Sequence, residues 1–118
     1  MRPQRISRIN EEVKREMGNI LRTLKDPRIP KLISPVRVDV TNDLSFCKVY
    51  ISMFGENIDK EAAMKALKAS AGFVRKEIGE RVNLRYTPQI IFIEDDSIEY
   101  GAKISKMIDD LGKGGKDD

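Results

Sequence analysis

Residues 59–82, DKEAAMKALKASAGFVRKEIGERV, decide the fold of this chain. Asp59 is placed to cap a helix that carries Ala62, Ala63, Ala66 and Leu67 on one side. Ser70-Ala71-Gly72 interrupts that helix, and a second apolar stripe follows with Phe73, Val74, Ile78 and Val82. Glycine costs about 1 kcal/mol relative to alanine inside a helix, and a serine hydroxyl competes for backbone hydrogen bonds, so a kink is expected here. Upstream, Val36, Val38 and Val40 alternate with Arg37, Asp39 and Thr41, the period of a half-buried strand. Asn42-Asp43 signals a turn, and residues 45–53 put Cys47, Val49 and Ile51 on one face and Phe46, Lys48 and Tyr50 on the other, completing a hairpin. Downstream, Pro88 bars helix continuation before residues 89–93, QIIFI, a run suited to a central strand.

At the start of the chain Ile6, Ile9, Val13, Met17, Ile20, Leu21 and Leu24 recur at steps of three and four, and Pro27 stops this helix near Asp26. A last helix is expected from Asp96, whose spacing to Glu99 fits a capping box, through Ile104, Met107, Ile108 and Leu111. The order is helix, strand, strand, helix, kink, helix, strand, with a C-terminal helix. That implies an α+β domain with a three-stranded sheet over residues 1–112 and a disordered charged tail over 113–118.

At 118 residues, 40% apolar and 35% charged, the chain is expected to form one soluble domain with a heavily charged surface. Its apolar runs are too short to span a bilayer and its first residues lack the apolar core of a signal peptide, so a cytoplasmic protein is expected. The single Cys47 agrees with a reducing compartment. Catalysis has little support. There is no histidine, one cysteine cannot build a thiolate zinc cluster, and no phosphate loop of the G-x-x-x-x-G-K-[ST] type occurs. In Asp95-Asp96 and Asp109-Asp110 adjacent side chains on a helix point apart, so neither reads as a catalytic dyad. No cofactor and no metal are expected.

The net charge of +3 is unevenly spread. Residues 1–37 hold 10 Lys/Arg against 4 Asp/Glu, residues 38–93 hold 8 against 7, and residues 94–118 hold 4 against 8. A basic end of this kind fits contact with a polyanion, although a merely solvated helix face has the same composition. The candidate phosphate contacts are Arg5, Arg8, Arg15, Arg22, Lys25 and Arg28 in the first helix and its loop, and Lys68, Arg75, Lys76, Arg81 and Arg85 further on. At the kink, Ser70 and Gly72 would expose the first amides of the following helix, which carry partial positive charge. The competing reading is that Gly72 only lets two helices pack closely. Tyr86 could stack on a base or pack beside Pro88, and packing is the expected use. Phe46 and Tyr50 are expected to lie under a terminal helix.

This element order is that of a type II KH domain, a binder of single-stranded nucleic acid. The G-x-x-G loop of ordinary KH domains is missing between the two helices, and the one match, Gly112-Lys113-Gly114-Gly115, falls in the tail. An A-x-G kink in its place is the mark of ribosome-binding factor A. The chain resembles that bacterial family in Arg2-Pro3-Gln4-Arg5, Lys25-Asp26-Pro27-Arg28, Asp43-Leu44-Ser45 before Cys47-Lys48-Val49-Tyr50, Gly72-Phe73-Val74-Arg75, Pro88, Asp95-Asp96-Ser97 and Gly101. Ser70 stands where the family usually has alanine. The resemblance implies a factor that binds the free small ribosomal subunit, assists late maturation and 5′-end processing of its rRNA, leaves before or during subunit joining, and matters most in the cold. It implies small-subunit rRNA as partner, with ribosomal proteins and assembly GTPases as further candidates. A monomer is the default, no dimer seam being visible. The alternative is an adaptor whose Arg-rich helix binds an acidic protein.

Overall fold

The computed structural model describes residues 3–95 and 105–109. Helix α1 spans Pro3–Thr23 and opens on a proline, whose missing N–H costs nothing in a first turn. Its stripe Ile9, Val13, Met17, Ile20 and Leu21 is buried, with Ile6 and Leu24 packed against the same core. Strands β1 (Leu32–Val40) and β2 (Phe46–Phe54) form the expected hairpin. β1 starts earlier than the alternation of valines indicates, because a bulge next to Pro35 leaves Val36 without a partner: the pairing passes from Pro35 opposite Ile51 to Arg37 opposite Tyr50. Asn10 locks α1 to this strand, its Oδ1 accepting the Val40 N–H at 2.9 Å.

Helices α2 (Lys60–Ala69) and α3 (Ala71–Arg81) follow, and Asp59 caps α2 by accepting the Ala62 N–H at 3.0 Å. Strand β3 (Gln89–Glu94) then pairs in parallel with β2, giving the order β1-β2-β3. The QIIFI run is therefore an edge strand and not the central one. β2 already pairs with β1 on one side, so the helical crossover can deliver β3 only to its other side.

The three helices cover one face of the sheet and close a core that includes Cys47, Val49, Ile51, Ala66, Leu67, Val74 and Ile78. Phe73, expected in the apolar stripe, is instead 49% exposed. The helical cover expected over Phe46 and Tyr50 is also not found among the described residues. Residues 105–109 are helical but exposed, Met107 and Ile108 included, and Phe46 stays open to solvent. Lys48 stands between Phe46 and Tyr50, and the Arg37 guanidinium lies 5.2 Å from the Tyr50 ring centre, so this face carries charge where a covering helix would need apolar surface. The expected start of the last helix at Asp96 and the 113–118 tail lie outside the described residues. No helix among the described residues is long and apolar enough to cross a membrane.

Candidate nucleic-acid interface

The break between α2 and α3 is a single residue wide. Ser70 has φ −88° and ψ −3°, and its N–H donates to the carbonyls of Ala66 (3.1 Å) and Leu67 (3.0 Å). Its hydroxyl also turns back, donating to Ala66 O at 3.0 Å, so it closes α2 and leaves α3 without a side-chain cap. α3 begins when Val74 N–H donates to Ser70 O at 2.9 Å. A Cβ built on Gly72 meets nothing within 4 Å, so close helix packing is not the reason for this glycine. The close approach is at Gly79, which sequence reasoning missed: a Cβ there would come within 2.8 Å of Thr87 Oγ1.

Thr87 belongs to the loop joining α3 to β3, and Arg75 holds that loop. Its Nε and Nη2 both donate to Thr87 O, at 3.3 and 3.0 Å. Between helix and loop lies an open groove of about 670 Å³, lined by Gly72, Arg75, Lys76, Gly79, Arg85, Tyr86 and Thr87. Three cations and no carboxylate line it, and among the described residues neither Lys76 nor Arg85 is in an ion pair. A second hollow, about 210 Å³, shares Arg85 and Tyr86 as a wall and adds Arg5, Asn42, Asp43 and Leu44. Tyr86 does not pack away beside Pro88: it is 59% exposed, with the Arg85 guanidinium 5.5 Å from its ring centre.

The other expected contacts are not gathered here. Arg8 and Arg15 flank a shallow surface of α1 that also carries Glu11 and Glu12, and Arg15 and Arg22 line another hollow with Lys14 and Glu11. Arg22 donates to Asn19 Oδ1 at 3.1 Å. Lys25 and Lys68 are exposed and stand outside both hollows. Arg81 ties α1 to α3, 3.5 Å from Glu16 and 3.3 Å from Glu77. Arg28 is consumed locally: its Nε and Nη2 donate to the two carboxylate oxygens of Asp26 at 3.0 and 2.7 Å, and its backbone N–H donates to Oδ1 at 2.9 Å.

Those bonds from Arg28 lower the Asp26 carboxyl from 3.8 to about 2. A depressed folded-state value means that the turn's contribution is present above about pH 4 and is lost as pH falls through about 2. Side-chain carboxyl NMR should locate the Asp26 midpoint near 2, and Arg28→Ala should return it toward 3.8. The buried Cys47 thiol is pushed up to about 12 by desolvation, with Asp39 adding to the shift, which makes it inert as a nucleophile at neutral pH. Among the described residues no group of three or more His, Cys, Asp or Glu could hold a metal ion.

Comparison with known proteins gives these surfaces their context. The family model "Ribosome-binding factor A" matches residues 5–108. The chain belongs to that family. A ribosome-binding factor A of Clostridium tetani is 51% identical over 112 residues, covering 94% of this chain and 93% of the relative. The crystal structure of ribosome-binding factor A from Thermus thermophilus superposes with a TM-score of 0.67 at 26% identity, covering 75% of this chain and 93% of that one. A homology model of the Thermus factor, fitted into the cryo-EM map of a complex with the 30S subunit, superposes at 0.62 with 26% identity over 74% of this chain and 91% of that one. The expected α+β architecture with its three-stranded sheet is thus that of the ribosome-binding factor A structures. Both hollows lie wholly inside the residues that the family model matches.

Proposed function

We propose that this chain binds the free small ribosomal subunit, with the groove of Gly72, Arg75, Lys76 and Arg85 set against rRNA phosphates. The observation that carries this reading is a cation-lined, carboxylate-free groove beside an uncapped helix start, in a chain of the ribosome-binding factor A family. The related Thermus factor fitted into a 30S complex supports the choice of subunit. Bound there, the protein favours the rRNA conformation that fits it, by differential affinity and without bond chemistry. In the cytoplasm this would assist late maturation and 5′-end processing of the small-subunit rRNA, most importantly in the cold. The factor acts as a monomer, in contact with ribosomal proteins and assembly GTPases, and leaves before or during subunit joining.

The test is sedimentation of tagged protein from lysate on sucrose gradients at low and moderate salt. Co-migration with free small subunits and absence from joined ribosomes is the expected result. Protein confined to the top of the gradient at low salt, even from cold-shocked cells, would reject it. Ribonuclease treatment separates this reading from a protein adaptor, because only an RNA-bound factor should lose its association.

Gly72 offers a sharper probe. The space around it is empty and its φ is not positive, so alanine fits without strain and, contrary to a kink that needs glycine, should not disturb the break. Gly72→Ala is expected to fold with unchanged or slightly higher stability, by at most about 1 kcal/mol in urea titration. Its affinity for small subunits should fall, because the added methyl occupies the groove floor where a phosphate would approach the backbone.

A further inference from the structure

The two hollows that share Arg85 and Tyr86 differ in chemistry. The larger presents Arg75, Lys76 and Arg85 beside bare glycine backbone and suits phosphate. The smaller sets a carboxylate, Asp43, and the Asn42 amide group alongside Arg5 and Arg85, a lining with both donors and an acceptor that suits the polar edge of a base better than a bare phosphate. Asp43 is held in place and kept ionised by its neighbours: hydrogen bonds from the Ser45 side chain first, then from the Ser45 N–H (to Oδ1, 3.0 Å) and the Thr41 hydroxyl (to Oδ1, 2.9 Å), lower its carboxyl below the usual range. The turn that carries it is fixed as well. Leu44 takes the left-handed conformation, φ 61°, is buried, and donates its N–H to Thr41 O at 2.9 Å. Asn42, Asp43 and Tyr86, with Arg5, Leu44 and Arg85, thus line a space of about 210 Å³, room for one planar heterocycle.

We propose that this space is a socket for one unpaired nucleotide, its base stacked on Tyr86 with its edge toward Asn42 and Asp43, and its phosphates in the neighbouring cationic groove. A nucleobase supplies what each wall lacks. Its face matches the Tyr86 ring, which is 59% exposed and has the Arg85 guanidinium near its centre, and its ring and amino N–H groups are donors for a carboxylate that can only accept. A base inside an A-form duplex has both faces stacked and its pairing edge used, so it cannot enter; the socket selects single-stranded, bulged or looped RNA. The inference rests on the rRNA-binding reading and adds to it where an unpaired base is held and by which residues.

The test uses the full chain and two fluorescently labelled RNAs of mixed sequence, a single-stranded hexanucleotide and a blunt perfect hairpin with a short capped loop, followed by anisotropy. Wild type should prefer the hexanucleotide. Tyr86→Ala should weaken hexanucleotide binding about tenfold, within the range found when a stacking aromatic is removed, while Tyr86→Phe should bind like wild type. Hairpin binding should be weakened far more by Lys76→Ala than by Tyr86→Ala. If Tyr86→Ala binds the hexanucleotide as wild type does while Lys76→Ala weakens it, the groove is a phosphate site only: the socket falls and the rRNA reading stands. The socket also falls if wild type associates with small subunits but not with the hexanucleotide. Failure to associate with either RNA or with subunits overturns both. Tyr86 is an exposed side chain, so its variants are expected to keep the wild-type circular dichroism spectrum.

Discussion

Reversing two charges, Lys76→Glu together with Arg85→Glu, is expected to lower the affinity for free small subunits by about a hundredfold at low salt. Each reversal removes a cation from a groove that has no carboxylate and puts repulsion in its place. Both side chains are exposed and outside ion pairs, so stability should change by no more than about 0.5 kcal/mol per site. The slope of log affinity against log salt should also become shallower, because fewer counterions are released on binding. Arg8→Glu with Arg15→Glu is the matched comparison. That pair sits among Glu11 and Glu12 on the outer side of α1, where the field is already mixed, and a much smaller loss is expected. An equal fall in both double variants, or a larger one on α1, would move the interface to the first helix.

Ile78→Ala should have the largest effect on stability of any change in the helix that carries the groove. The side chain is fully buried in the middle of α3 and faces the sheet. Truncation removes apolar burial and leaves a cavity that its neighbours fill only partly, at a cost of about 2–5 kcal/mol. Urea unfolding should show a lower midpoint at an unchanged slope, the mark of lost stability without a change in the surface exposed. Phe73→Ala, five residues earlier on the same helix, is the informative contrast. Its ring is 49% exposed, so the change should cost far less despite the larger side chain.

Phe73 shows that apolar character is not enough without the helical period. One residue is a step of about 100° on a helix, so Phe73 lies off the i, i+4, i+8 row of Val74, Ile78 and Val82 and faces outward. The strands divide into what was legible and what was not. Alternation found β2 almost to the residue, whereas the first part of β1 was hidden by Pro35 and became visible only as a bulge against Ile51 and Tyr50. An apolar run such as Gln89-Ile90-Ile91-Phe92-Ile93 carries no information on which side of β2 it will pair, and it proved to be an edge.

The candidate site divides along the same line. The pairing of Arg28 with Asp26 is an i, i+2 contact in an Asp-Pro-Arg turn and could have been anticipated from spacing, which would have removed one cation from the expected contacts. The pairing of Arg81 with Glu16 joins residues on different helices and could not. The same holds for the meeting of Arg5, Asn42 and Asp43 with Arg85 and Tyr86, which come from the first helix, the hairpin turn and the last connection.

Linear order was enough to establish the element types, their succession, the buried stripes and the family, because periodicity, proline and glycine act within a few residues and short motifs are read along the chain. Which cations stay outside ion pairs, and which aromatic rings stay exposed, emerged only in the packed molecule. Ion pairing and burial depend on distances between segments, and those distances exist only once the helices have packed on the sheet.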